Sequence, residues 1–278
     1  MRSERSPTPP AVERPRDLPQ SLLPQLVVRQ APVLIALDYD GTLSPIVNDP
    51  FRATPAPGAR QALARLAHHG QAVVLAVISG RDIDQLRSLL GLDFGVLMLG
   101  VHGAEIMELD GTRRLVEELG GTPLALDKVR DWLKANVPKR AGFVIEDKRL
   151  SLALHYRNAR GETAEKLTRA FEAFVTAQTP ELRVGRGKMV VEAIPKGADK
   201  GSAMRFLCER LRFATPPVYF GDDITDEDAF YALRGEGITV RVGDFTPSWA
   251  KYRVPSPNEV VKVLDSIADA LEHKAPGT

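Results

Sequence analysis

The chain has 278 residues, 44% of them hydrophobic and 26% charged, which suits one large or two ordinary packed domains and excludes overall disorder. Thirty-seven Lys and Arg set against 36 Asp and Glu leave a net charge of +1, so there is no basic footprint for nucleic acid. Five His and one Cys exclude a Cys/His zinc site and a disulfide; no apolar run approaches the ~18 residues of a membrane helix, and the start lacks the apolar core of a secretory signal, so a cytoplasmic location is expected.

Residues 1–28 are rich in proline (Pro7, Pro9, Pro10, Pro15, Pro19, Pro24) and charge and read as a disordered leader. From Val33 strands and helices alternate. Val33–Leu37 is an apolar run suited to a strand buried on both faces. A helix follows over 57–69, then the strand Val73–Ile78, a helix carrying Ile83, Leu86, Leu89 and Leu90, and the strand Val96–Leu99. Gly103–Met107 and Arg113–Val116, joined around Asp110-Gly111, form a hairpin. The stretch 121–194 differs, with a helix, two strands, a helix and two strands joined by short turns, which makes the strands antiparallel. Gly185 and Gly187 mark one of those turns. Alternation then resumes with a helix over Asp199–Leu211, the strand Pro217–Phe220, a helix over Thr225–Leu233, the strand Ile238–Val242, and a last helix opened by Ser256-Pro257. The predicted fold is α/β, with a doubly wound, mostly parallel Rossmann-like core over 29–120 and 195–272 and an inserted α+β cap domain over 121–194.

Two acidic clusters follow buried strands, Asp38-Tyr39-Asp40-Gly41-Thr42 and Gly221-Asp222-Asp223-Ile224-Thr225-Asp226-Glu227. Open α/β sheets bind ligands at the carboxyl ends of their strands. Several carboxylates converging there need a cation, and an oxygen-only ligand set points to Mg²⁺. Asp38 and Asp40 have the spacing for a nucleophile and a general acid/base, against the competing reading of a solvated turn. Asp222 suits the metal, while Asp223, Thr225 and Glu227 also suit a helix cap. Ser79-Gly80-Arg81, after a strand, suits either a phosphate site or an ordinary cap. Lys200 opposes the dipole at its helix start, which bridging the nucleophile and a phosphoryl group would offset.

Asp38-Tyr39-Asp40-Gly41-Thr42-Leu43, Ser79, Lys200 and Asp222-Asp223 resemble, in order, the four motifs of haloacid dehalogenase-like (HAD) phosphatases. LDYDGTLSPI (37–46), ISGR (78–81), HGAEI (102–106), EDK (146–148), HYR (155–157), KMVVE (188–192) and GDDITDED (221–228) resemble the trehalose-6-phosphate phosphatases across residues 30–265. The resemblance implies Asp38 as nucleophile and Asp40 as general acid/base that also lends its backbone carbonyl to Mg²⁺. It implies Asp222 as the third metal ligand, and Ser79, Gly80, Arg81 and Lys200 as the phosphate site, with His102 near the substrate. The insertion would be a mobile cap that reads the sugar. Glu146 and Lys148 share a strand face, as do Lys188 and Glu192; with Arg157 they are the sugar-binding candidates, against the competing reading of cross-strand ion pairs on a wet sheet. The chain departs from the family at Val101, where Asn is frequent before His102, and at Ile194, where Arg is frequent before Pro195. The expected activity is Mg²⁺-dependent hydrolysis of trehalose 6-phosphate by a monomer. The rivals are phosphatases for sucrose 6-phosphate or for mannosyl or glucosyl phosphoglycerate, a phosphohexomutase, and a catalytically silent sugar-phosphate sensor.

Overall fold

The computed structural model describes residues 14–29, 32–47, 52–92, 95–115, 122–139, 141–159, 161–187, 189–244 and 247–274. The chain opens with β1 (Arg16–Asp17), α1 (Leu22–Arg29), β2 (Val33–Leu37), α2 (Ala59–Ala67), β3 (Val73–Ile78), α3 (Ile83–Leu90), β4 (Val96–Gly100), β5 (Glu105–Met107) and β6 (Arg113–Leu115). It continues with α4 (Thr122–Asn136), β7 (Val144–Asp147), β8 (Leu152–His155), α5 (Gly161–Gln178), β9 (Leu182–Gly187) and β10 (Val190–Pro195). It ends with α6 (Lys200–Leu211), β11 (Val218–Gly221), α7 (Glu227–Ala232), β12 (Ile238–Val242), β13 (Tyr252–Val254) and α8 (Pro257–His273). These elements fall into two compact units: Leu115–Ala198, and the chain before it together with the chain after it.

The larger unit is built on a sheet of strand order β1-β13-β12-β11-β2-β3-β4-β5-β6. Its strands from β1 to β4 pair in parallel, and β5 runs antiparallel to β4. Parallel strands with helical crossovers are covered on both faces, and β2, β4 and β12 are buried along their whole length. One shared apolar core joins Val33, Ile35 and Leu37 of β2 to Leu63 and Leu66 of α2, Leu86 of α3 and Leu264 and Ile267 of α8.

The prolines of the leader mislead over residues 14–28. Leu23 and Val27 of α1 are buried in that same core, and β1 extends the sheet against β13. Pro24 sits in the first turn of α1, where backbone N–H groups have no helical partner and a missing one costs nothing. The rest of the leader, residues 1–13, lies outside the described residues.

The inserted unit is a four-stranded antiparallel sheet, β7-β8-β10-β9, with α4 and α5 packed on one face. Leu152 and Leu154 of β8 and Val191 and Ala193 of β10 meet Val129 and Leu133 of α4 and Phe171 and Val175 of α5. Strand alternation puts the row Glu146–Ala153–Glu192 on the other face. Gly185 lies inside β9, and Gly187 is its last residue, paired with Val190; the chain reverses just after it, where Met189 takes the left-handed φ of 64°.

Candidate active site

The strands β11, β2, β3 and β4 are parallel neighbours, so the loops that follow them share one edge of the sheet. Those loops carry Asp222, Asp38, Ser79 and His102. Asp38 N–H donates to the Phe220 carbonyl at 2.9 Å, tying the first two loops together. The Tyr39 carbonyl accepts from the N–H groups of Thr42, Leu43 and Ser44, and the buried Tyr39 hydroxyl donates to the Ala53 carbonyl at 2.7 Å. This winds the chain tightly after β2 and leaves Asp38 buried and Asp40 partly exposed. Gly41 has φ +85°, and a Cβ there would stand 2.0 Å from Asp222 Oδ2, so this loop needs glycine to let the Asp222 carboxylate approach.

Three carboxylates, Asp38, Asp222 and Asp226, offer oxygens that all lie within 4.8 Å of one another. One ammonium stands among them: Lys200 Nζ is 2.7 Å from Asp38 Oδ1 and 2.7 Å from Asp226 Oδ1. Lys200 opens α6, which Asp199 caps by accepting the Ser202 N–H at 2.7 Å. Asp226 is the brace of the site. Its Oδ1 also accepts from the Tyr219 hydroxyl at 2.6 Å, and its Oδ2 accepts the backbone N–H groups of Asp222 and Asp223 at 3.0 and 2.9 Å. Asp222 is the contrast, since its Oδ1 is buried and accepts no hydrogen bond among the described residues.

The electrostatics follow from this crowding. Burial raises the Asp38 carboxyl well above the usual carboxylate range, with Lys200 pulling against it and Asp226 and Asp222 pushing the same way. Asp222 is pushed up to about 7, by burial and then by Asp226. Burial works against the Lys200 ammonium, yet Asp226 and Asp38 outweigh it and hold the lysine above its ordinary range. A buried, oxygen-only set with more negative than positive charge and one orphaned carboxylate oxygen fits a hard divalent cation.

Sequence reasoning paired Asp222 with Asp38 but gave Asp226 no role, and the four-residue step from Asp222 was the available signal. The expected cap on the following helix is absent. Asp226 occupies the cap position of α7 with no side-chain hydrogen bond into it, and Glu227 faces Arg241, Ser248 and Trp249. Arg241 went unnoticed too, although a charge inside an apolar strand is itself a signal.

On the other side of Asp38, Ser79 is buried and its hydroxyl accepts the Arg81 N–H at 3.2 Å. The His102 ring packs against Gly80, where an added Cβ would lie 2.8 Å from Nε2, and His102 N–H donates to the Ser79 carbonyl at 2.8 Å. Arg81 forks onto Asp40, with Nε and Nη2 each 2.6 Å from a different carboxylate oxygen. The structure therefore brings Asp38, Lys200 and Asp222 together and couples Arg81 to Asp40.

In the inserted unit the face opposite the helices gathers Glu146, Lys148 and Glu192. Lys148 Nζ lies 3.0 Å from Glu192 Oε1 and 3.9 Å from Glu146 Oε2. Two residues outside the predicted set complete the cluster: the Ser151 hydroxyl donates to Glu192 Oε1 at 2.5 Å, and His155 Nε2 is 2.9 Å from Glu146 Oε2. Arg157, just past β8, is exposed, and Lys188 lies outside the described residues.

Residues 36–258 match the family described as trehalose-phosphatase. The chain is 36% identical over 251 residues to a trehalose-phosphate phosphatase of Mycolicibacterium paratuberculosis, covering 86% of this chain and 62% of that one. It is 37% identical over 277 residues to an uncharacterized glycosyl hydrolase of Mycobacterium tuberculosis, covering 93% of this chain and 20% of that one. The chain thus spans less than two-thirds of the length of these curated relatives. Among solved structures it is similar to the C-terminal domain of the C. albicans trehalose-6-phosphate phosphatase, with TM-score 0.77, 25% identity and coverage of 93% of this chain and 99% of that one.

Proposed function

This chain belongs to the trehalose-phosphatase family, and from that premise we propose that it hydrolyses trehalose 6-phosphate to trehalose and inorganic phosphate. Mg²⁺ would be held by the carboxylates of Asp38 and Asp222 and the backbone carbonyl of Asp40; when bound, it neutralises charge on the phosphoryl oxygens. Asp226 stays a brace, because its oxygens already accept from Lys200, Tyr219 and two backbone N–H groups.

Asp38 attacks phosphorus, the bond to the sugar oxygen breaks, and Asp40 delivers a proton to that oxygen. Asp40 then takes a proton from water as the water attacks the aspartyl-phosphate, which releases phosphate and restores Asp38. Lys200 favours the ionised nucleophile and faces the charge that develops on the transferring group. The Ser79 hydroxyl and Gly80 N–H receive phosphoryl oxygens. Asp40 cannot donate while Arg81 holds both of its oxygens, so the pair opens during turnover. A phosphate dianion is a natural competitor for the guanidinium fork. Glu146, Lys148 and Glu192, with Arg157 and Lys188, supply donors and acceptors for sugar hydroxyls. No helix among the described residues is long and apolar enough to cross a membrane, and on this reading the protein is a cytoplasmic monomer serving trehalose biosynthesis.

The observation that supports this most is the orphaned Asp222 Oδ1 beside a nucleophile already bridged by Lys200. The test is phosphate release from trehalose 6-phosphate, with and without Mg²⁺, beside sucrose 6-phosphate and glucose 6-phosphate. Mg²⁺-dependent release from trehalose 6-phosphate alone is expected. Release from a different sugar phosphate would overturn the substrate and keep the chemistry, whereas tight binding without release would favour a sensor.

A further inference from the structure

Arg241 is the one charged residue in a strand, β12, whose other members are Ile238, Thr239, Val240 and Val242, and all five residues are buried. A buried guanidinium is costly, and an apolar side chain of similar volume is often as stable or more so. Arg241 therefore calls for a reason beyond packing, and its partners supply one.

Arg241 is the register partner of Gly221 on β11, which places it beside Asp222. Its Nη2 donates to the Asp222 backbone carbonyl. Its Nη1 lies 2.9 Å from Glu227 Oε1. Glu227 is itself buried and also accepts the Ser248 hydroxyl and the Trp249 N–H, each at 2.7 Å. The Asp222 N–H is held from the other side by Asp226 Oδ2 at 3.0 Å. Both backbone polar groups of Asp222 are thus fixed by buried charges, while its Oδ1 is left without a hydrogen bond among the described residues. The fork of Arg241 reaches its two acceptors from two separate nitrogens held in one rigid plane, a geometry that the single nitrogen of a lysine does not reproduce.

We propose that Arg241, held by Glu227, is a positioning residue that aims the Asp222 carboxylate at a divalent cation. The inference rests on the proposed Mg²⁺ site and adds a support that the catalytic set does not include. It predicts that loosening the clamp weakens the cation more than the fold, because outer partners that orient a ligand are worth about 10–100-fold in metal affinity.

The test is titration calorimetry of Mg²⁺ into the full chain, run on wild type, Arg241→Lys and Glu227→Gln, with the melting temperature of each metal-free protein as control. Arg241→Lys keeps the charge and loses the fork. Glu227→Gln keeps the shape and removes the anion that grips the arginine, and it carries the test if Arg241→Lys does not fold. The expected result is a Kd raised about tenfold or more in a variant that melts close to wild type, with phosphate release recovering as Mg²⁺ is increased. A purely structural role would not produce that recovery. A folded variant that binds Mg²⁺ as tightly as wild type overturns the inference and leaves the proposed function standing. Wild type that binds no Mg²⁺ overturns the metal site and the inference with it.

Discussion

The two polar clusters of this protein solve opposite problems with similar residues. In the larger unit, Asp38, Asp222 and Asp226 surround one ammonium, Lys200, and the charges do not balance. In the inserted unit, Glu146 and Glu192 sit with Lys148, His155 and Ser151 and satisfy one another across a sheet face. Excess buried charge raises the free energy of the empty site, and a cation relieves it. A self-satisfied cluster has no such need and is suited to neutral polar groups, which trade hydrogen bonds one for one. The first cluster reads as chemistry and the second as recognition, and substitutions should separate them.

The largest effect is expected at the proposed nucleophile. Asp38→Asn keeps the shape beside Lys200 and removes the attacking oxygen, so phosphate release should fall by about 10³-fold or more while the circular dichroism spectrum is unchanged. Substantial residual hydrolysis would remove Asp38 from that role.

Asp222→Asn tests the charge excess itself. The folded-state pKa of Asp222 is raised to about 7, whereas an unfolded carboxyl titrates near ~3.9. Between these values the folded chain holds the extra proton, so the group costs the metal-free protein progressively more stability as pH rises. Asp222→Asn has no such cost. Without metal, its melting temperature should match wild type near pH 4 and exceed it by a growing margin up to pH 8, at about 2–4 °C for each kcal/mol relieved. Added Mg²⁺ should then raise wild type and not the variant. A gap that closes as pH rises would reverse the sign and sink the argument.

The inserted unit should behave otherwise. Glu192→Gln removes a charge that Lys148 and Ser151 both use, at a cost of about 1–3 kcal/mol in stability. We expect kcat/KM for trehalose 6-phosphate to fall by about tenfold or more, since a site built to pair polar groups loses most when one is mismatched. Hydrolysis of a small aryl phosphate should hardly change. Equal losses on both substrates would erase the division between chemistry and recognition.

The sequence carried more of one region than of the other. Buried parallel strands are written as apolar runs, so Val33–Leu37 and Val73–Ile78 are observed where the pattern predicts them. The acidic clusters were equally legible, because a carboxylate after such a run has few structural reasons to be there. Roles set by three-dimensional partners were not. Asp226 becomes a brace only because Lys200, Tyr219 and two backbone amides converge on it. The segment over α1 was hidden by its prolines, although the burial of Leu23 and Val27 depends only on their spacing. β13 is three residues long and carries no apolar run to announce it.

The smallest expected effect concerns backbone strain, and it too divides the molecule. Among the described residues of the inserted unit, the non-glycine residues with left-handed φ are Arg149 and Met189, which are unbranched and sit in turns between antiparallel strands. In the larger unit Val101 has φ 49°, next to His102 at 58° and Gly103 at 100°. A β-branched residue in that region is strained, at a cost of order 1–3 kcal/mol. The surroundings hold it there: Val101 N–H donates to the Arg81 carbonyl at 2.8 Å, and the same turn seats the His102 ring on Gly80. Asparagine tolerates this conformation. Val101→Asn exchanges buried apolar surface for relief of strain, so the gain is small, about 1 kcal/mol or 2–4 °C in melting temperature. Val101→Thr, which stays β-branched, should not share it. If both variants melt below wild type, the apolar contacts of Val101 outweigh its strain, and the turn at His102 is held by packing rather than against its own backbone.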